Sequence, residues 1–262
     1  MSERTEHMPG TPSWVDHSSP FPSAAAEFYS SLLGWKTKDA MPPDSGGEYH
    51  MARVRGKDVA ALSSQADEGA PTTWNTYISV ASADEAAAKA LTAGGKTLTD
   101  PFDVFDAGRM AVMLDSAGAM IMVWEPKRMI GAELVNEPGA LCWTELVTDD
   151  VEAAGAFYGE VFGWTTSTMA TNGADYTLWH LAEGEPPIGG MTAISPDRHP
   201  PDIAPHWSIC FAVADTDATA ARCAELDGTV AVEPFDTDQG RTAILVDPQD
   251  AGFAVIALTN PG

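Results

Sequence analysis

The chain repeats itself, and no other feature constrains its fold as much. Phe28-Tyr29 returns as Phe157-Tyr158 and Gly34-Trp35 as Gly163-Trp164, each 129 residues later; Trp14 and Trp143 share that offset. Further on, AGRMAVMLD (107–115) returns as QGRTAILVD (239–247), 132 residues later. The 262 residues therefore divide into two halves of about 130.

Each half divides again. In the first, strand-like WVDHS (14–18) precedes helical PSAAAEFYSSLL (22–33), and YHMARV (49–54) and VAALS (59–63) read as strands. WNTYISV (74–80) then precedes a helix opening at Ser82, with Glu85 three residues on, the spacing of a capping box. RMAVML (109–114) and AMIMVW (119–124) follow. The second half echoes this with CWTELV (142–147), a helix capped by Asp149 with Glu152, YTLWHL (176–181) and IGGMTAI (188–194). HWSICFAV (206–213), a helix near 216–226, RTAILV (241–246) and FAVIAL (253–258) complete it. The pattern is an α+β chain of four βαβββ units. Phe28 with Leu32, and Phe157 with Val161, give the first helix of each half an apolar stripe that packs on a sheet. Residues 1–11 read as a flexible tail and 126–140 as a linker, from their Gly, Pro and charge.

Composition narrows the function classes. Eight Trp and nine Phe exclude a disordered chain. No apolar run approaches the ~20 residues of a membrane helix, and the polar N-terminus shows no secretory signal. With 14 Lys and Arg against 38 Asp and Glu, the net charge is −24, which repels phosphate backbones and anionic membranes. Neither nucleic acid nor a membrane is an expected partner. Three cysteines without a CxxC spacing fit a reducing cytoplasm.

The strand–AxxFY–xxxxGW opening (14–35, 143–164) and the strand–D-x-x-G–strand ending (112–124, with a longer DPQDAG turn at 247–252) resemble the vicinal oxygen chelate superfamily of glyoxalase I, extradiol dioxygenases and bleomycin-resistance proteins. TPSWVD, WNTYISV, DAGRM and VNEPG look like a tandem actinobacterial glyoxalase-like group that includes hydroxylase-labelled proteins. The resemblance implies two tandem cups, each curled from two βαβββ units, at 12–125 and 141–258. It also implies metal ligands, as His, Gln or Glu, on the inner faces of particular strands. Those positions hold Trp14 and Trp143, Asn75 and Ser208, Met122 and Ile256. Asn75 alone among them could ligate, and one amide cannot hold an ion. The expectation is no metal and no cofactor.

Alternation along a strand extends each inward row. With Trp14 inward, so is Asp16; with Asn75, Tyr77; and Met120, Met122 and Trp124 form another row. The second cup would offer Trp143, Glu145, Ser208, Cys210, Ala254 and Ile256. Core packing accounts equally well for the aromatic and Met positions, and a satisfied carboxylate for Asp16 and Glu145. His17 and His206 are expected to face away from the cups, Arg109 and Arg241 to ion-pair, and Cys210 to be a buried inert thiol. A few polar groups in an apolar cup suit a small aromatic or hydrophobic metabolite, such as an antibiotic or polyketide. Binding without turnover is one reading. The alternative is a metal-independent lyase, isomerase or hydroxylase-like enzyme with Asp16 or Glu145 as base. An interaction or antigen role, with vestigial cups, is a third. Monomer and homodimer are both compatible with a tandem chain.

Overall fold

The computed structural model describes residues 2–42, 46–171, 174–197, 199 and 202–259. Four βαβββ units follow one another. The first is β1 (Pro12–Ser19), α1 (Pro22–Leu33), β2 (Lys36–Asp39), β3 (Tyr49–Val54) and β4 (Lys57–Ser64). The second is β5 (Thr73–Ser79), α2 (Ala83–Thr92), β6 (Lys96–Val104), β7 (Gly108–Leu114) and β8 (Met120–Pro126). The third is β9 (Leu141–Thr148), α3 (Val151–Phe162), β10 (Thr165–Thr171), β11 (Ala174–His180) and β12 (Pro187–Ala193). The fourth is β13 (His206–Ala212), α4 (Thr216–Glu225), β14 (Thr229–Thr237), β15 (Gly240–Val246) and β16 (Gly252–Leu258). Units one and two share an eight-stranded sheet of order β2-β3-β4-β1-β5-β8-β7-β6; units three and four build its counterpart, β10-β11-β12-β9-β13-β16-β15-β14. Two tandem domains result, each a mixed sheet with a concave face and a helix-covered face. Among the described residues, no helix is long and apolar enough to cross a membrane.

The repeated motifs are packing devices of the helix-covered faces. Gly34 and Gly163 end α1 and α3 in the left-handed region, at φ 73° and 77°, where glycine carries no Cβ penalty. Each helix end then turns a tryptophan back under its own helix. Trp35 stacks on Tyr29 at 5.6 Å and Trp164 on Tyr158 at 5.5 Å. The two tyrosines reach across to the other domain: Tyr29 donates to Asp247 and Tyr158 to Asp115, both at 3.0 Å. Trp74 and Trp207 donate in turn to those phenol oxygens, at 2.9 and 2.8 Å. FY, GW and the strand-ending Asp thus form one reciprocal inter-domain core, used twice.

The ends of the elements follow local chemistry. Ser82 caps α2 by accepting from Glu85 N–H. Asp150, not the expected Asp149, caps α3 by accepting from Ala153 N–H, one residue closer to the helix than the reading placed it. Arg109 pairs with Asp84 and Arg241 with Asp217, at the first turns of α2 and α4.

Residues 2–11 do not form the expected loose tail. Arg4 N–H donates to Glu133 O, Val135 N–H to Ser2 O, and Gly10 N–H to Ser79 O. The linker is equally fixed. It leaves β8, donates from Met129 to Ala107 O, crosses to Ser13 O through Ala132 N–H, and reaches Asp58 O through Glu133 N–H. Ala132 and Leu134 are buried along it.

Candidate functional site

The strand register places the inner rows. In the first sheet Asp16 stands opposite Asn75, Trp14 opposite Tyr77, and Tyr77 beside Met122. In the second, Glu145 stands opposite Ser208, Trp143 opposite Cys210, and Cys210 beside Ala254. Trp14, Tyr77, Met122 and Trp124 are buried together, with Met120 packed against them. Ile256 follows Ala254 on the inner face of β16.

Both cups contain one arrangement that includes a residue missed in the sequence. Trp14 Nε1 donates to the Tyr49 hydroxyl at 3.0 Å, and Tyr49 donates to Asp16 Oδ2 at 3.2 Å. In the second cup Trp143 Nε1 donates to Tyr176 at 2.9 Å, and the Tyr176 hydroxyl hydrogen-bonds Glu145. Tyr49 and Tyr176 lie on the equivalent strands β3 and β11, 127 residues apart, so the repeat itself carried a signal for them. Gly190 makes room for this contact: a Cβ there would lie 1.9 Å from the Tyr176 oxygen.

The cups then diverge. Asp16 also accepts from Asn75 Nδ2 at 2.8 Å and from the Tyr77 hydroxyl at 2.7 Å. It is 3% exposed. Burial raises its carboxyl above the ordinary range, and the hydrogen bonds from Asn75, Tyr77 and Tyr49 offset only part of that. The linker seals this cup, since Ala132 belongs to the same cluster as Trp14, Tyr77, Met122 and Trp124. In the second cup the matching places hold smaller side chains: Ser208 for Asn75, Cys210 for Tyr77, Ala254 for Met122 and Ile256 for Trp124. Trp143, Glu145, Tyr176, Ser208 and Ala254 are half-buried. Val232, Phe235 and Ile244 extend the inner face along β14 and β15, each about 40% exposed. This inner face is largely apolar and carries one carboxylate, Glu145.

The histidines need one correction. His206 was expected to face away from the cup. It lies two residues from Ser208 on the same strand face, because Trp207 takes the core side and donates to Tyr158. Burial pulls its ring below the ordinary histidine value, and its Nδ1 bonds Ala204 O at 2.9 Å. His17 does face away from its cup, into the inter-domain core.

The donors present do not suit the metal of the resembling enzymes. Among the described residues no three His, Cys, Asp or Glu side chains come together to hold an ion. Both Asp16 oxygens are already engaged, and the rest of the first cup's inner rows is indole, phenol, thioether and amide.

Comparisons with known proteins agree with this architecture. The family model described as Glyoxalase/Bleomycin resistance protein/Dioxygenase superfamily matches residues 20–123 and 140–255. A Mycobacterium tuberculosis protein named "Putative glyoxylase CFP32" is 43% identical over 261 residues, covering 98% of each chain. The Streptomyces peucetius "Anthracycline biosynthesis protein DnrV" is 38% identical over 268 residues, covering 97% of this chain and 95% of that protein. Among solved structures, the 2,3-dioxygenase LapB from Pseudomonas sp. KL28 aligns with a TM-score of 0.64 at 14% identity, over 96% of this chain and 93% of that one; it bears on the fold alone.

Proposed function

Because the chain belongs to the glyoxalase/bleomycin resistance protein/dioxygenase superfamily, we propose that its second cup binds a small planar aromatic metabolite without a metal ion, with Glu145 accepting from a ligand hydroxyl or amine. The observation that carries this reading is the contrast between the cups. One Trp–Tyr–carboxylate arrangement occurs twice. In the first cup three donors and the linker close over it. In the second it is half-buried, beside small residues and exposed apolar ones. Trp143 and Tyr176 supply aromatic faces, Val232, Phe235 and Ile244 an apolar floor, and Glu145 with Ser208 the few polar groups that fix orientation. A relative named for anthracycline biosynthesis supports a fused-ring, hydroxyl-bearing ligand. Asp16, Asn75, Tyr77, Met120, Met122 and Trp124 then serve the first cup's packing.

The alternative is turnover at the same place. The Tyr176 hydroxyl beside Glu145 favours it, because a carboxylate paired with a phenol can take a proton from a ligand while the phenol polarises a neighbouring oxygen. Glu145 is the base in that reading, since Asp16 is held on both oxygens by its own cup.

The experiment is a titration of the full chain with a hydroxylated anthraquinone, followed by tryptophan fluorescence. Saturable quenching that weakens at least tenfold in Glu145→Gln supports the proposal. Quenching unchanged by that substitution contradicts the role of Glu145. New absorbance bands on prolonged incubation with wild type, absent with the variant, would favour the enzyme.

A further inference from the structure

We infer that the second cup carries an oxidisable dithiol, Cys142 with Cys210, which reacts with a hydroperoxide and closes to a disulfide. The placement arises from a bulge in β9. Leu141 stands opposite Phe211 and Trp143 opposite Cys210, so Cys142 is the extra residue and two residues face one. Its Sγ lies 3.2 Å from Cys210 O, which sets the Cys142 thiol directly against the Cys210 residue. The bulge lets Cys142 lean over Cys210 from the position next to its register partner Trp143.

The first cup shows what is particular here. Its equivalent bulge places Ser13 over Tyr77 O at 3.4 Å, with no thiol at either place. The third cysteine is remote from the pair: Cys223 lies on α4, buried in the inter-domain core, with its Sγ toward Val246 O. Cys142 is half-buried and Cys210 buried, so an oxidant meets Cys142 first.

The chemistry balances. The Cys142 sulfur attacks one oxygen of the hydroperoxide, the O–O bond breaks, and the departing alkoxide or hydroxide takes a proton. The sulfenic acid left on Cys142 is then displaced by the Cys210 sulfur. The S–S bond forms, and the released hydroxide leaves as water with the Cys210 proton. Two electrons pass from the dithiol to the peroxide. The Cys142 thiol and burial both push the Cys210 thiol up, so Cys142, the more accessible sulfur, is the one that attacks the peroxide.

The test uses the reduced full chain. It is treated with hydrogen peroxide under nitrogen, then alkylated in denaturant, digested and mapped by mass spectrometry. The expected product is a Cys142–Cys210 linked peptide, two hydrogen masses lighter than its separate parts and reversed by dithiothreitol, with Cys223 alkylated throughout. Cys142→Ser should leave Cys210 alkylatable at a dose that links the wild type. Separate sulfinic acids without linkage, a bridge to Cys223, or equal oxidation of Cys210 in Cys142→Ser would each overturn the assignment. None of these readouts involves the aromatic ligand.

Discussion

The Tyr77 hydroxyl donates to Asp16 Oδ2 at 2.7 Å, and the residue at Tyr77's place in the second cup is Cys210. That exchange, with Ser208 for Asn75, leaves the two cup carboxylates in different company. Asp16 holds its cup together; Glu145 is half-buried in the other.

The division of roles predicts opposite outcomes for two similar substitutions. Asp16→Ala strands the Asn75, Tyr77 and Tyr49 donors in a buried cluster, at about 1–3 kcal/mol for each buried group left unpaired. It should lower stability by about 3 kcal/mol or more in urea unfolding. Glu145→Ala, at a half-buried position, should cost less than about 1 kcal/mol and instead abolish ligand binding. Equal destabilisation by the two would contradict the division.

A second pair links the domains. His17 Nε2 lies 2.8 Å from Asp247 Oδ2, with both side chains sealed from solvent; Asp115, at the reciprocal place, meets Tyr158 with Leu146 in place of the histidine. Burial raises Asp247, but the His17 ring and the N–H groups of Ala251 and Gln249 overcome it and hold the carboxyl below its ordinary value. Its contribution to stability is therefore present above the unfolded value of about 3.9 and lost as pH falls through the lower folded value. Burial, offset only in part by Ala119 N–H and the Tyr158 hydroxyl, raises Asp115, so its contribution is present below the unfolded value and lost as pH rises through the folded one. Asp247→Asn should cost about 1–3 kcal/mol for each buried partner left unpaired and flatten the acid limb of the stability curve. Asp115→Asn keeps one acceptor oxygen for the Ala117 and Ala119 N–H groups but turns its amide toward the Tyr158 hydroxyl, and should cost about 1–3 kcal/mol without that acid-limb change.

Gly190 sets the position of Tyr176. A methyl group there meets the phenol oxygen at 1.9 Å, and an aromatic ring cannot bend away as a flexible chain would. Gly190→Ala should displace Tyr176 from Trp143 and Glu145, at about 1–3 kcal/mol for overpacking. The readouts are a changed tryptophan emission and weaker ligand binding. In the first cup the corresponding residue is Ala61, which pairs with Met51 as Gly190 pairs with Leu178.

The donor set of the cups predicts metal independence. Protein purified without a metal-binding tag and soaked in nickel, iron or zinc should retain far less than one ion per chain by elemental mass spectrometry. Its melting temperature should not change with a chelator. One tightly held ion per chain would contradict this.

Much of the fold was legible because the repeat is written in its largest residues. FY, GW and the strand-ending Asp recur because the inter-domain core uses them twice. The strands at 36–39, 96–104, 165–171 and 229–237 were not legible. All four are sheet edges, where exposure permits sequences such as KTKD and TTSTMAT without apolar alternation. Pro101 and Pro234 further obscure two of them; each falls where the pairing register shifts, a place that tolerates a missing N–H. The inner rows followed from alternation, but the sealing of one cup did not. It depends on the path of residues 126–140, whose Gly, Pro and charges signal a connection without saying where it lies. His206 shares its strand face with Ser208, two residues on, so the alternation that turns Ser208 inward turns His206 inward as well.

The most direct test of the central claim is the stoichiometry of hydroxyanthraquinone binding by isothermal titration calorimetry, in wild type and in Ala254→Trp. The substitution fills the second cup and lies far from the linker-sealed first one. One site per chain in wild type, lost in the variant while its melting temperature holds, is the predicted result. Retention of that site in Ala254→Trp, or two equal sites in wild type, would place binding outside the second cup and contradict the account.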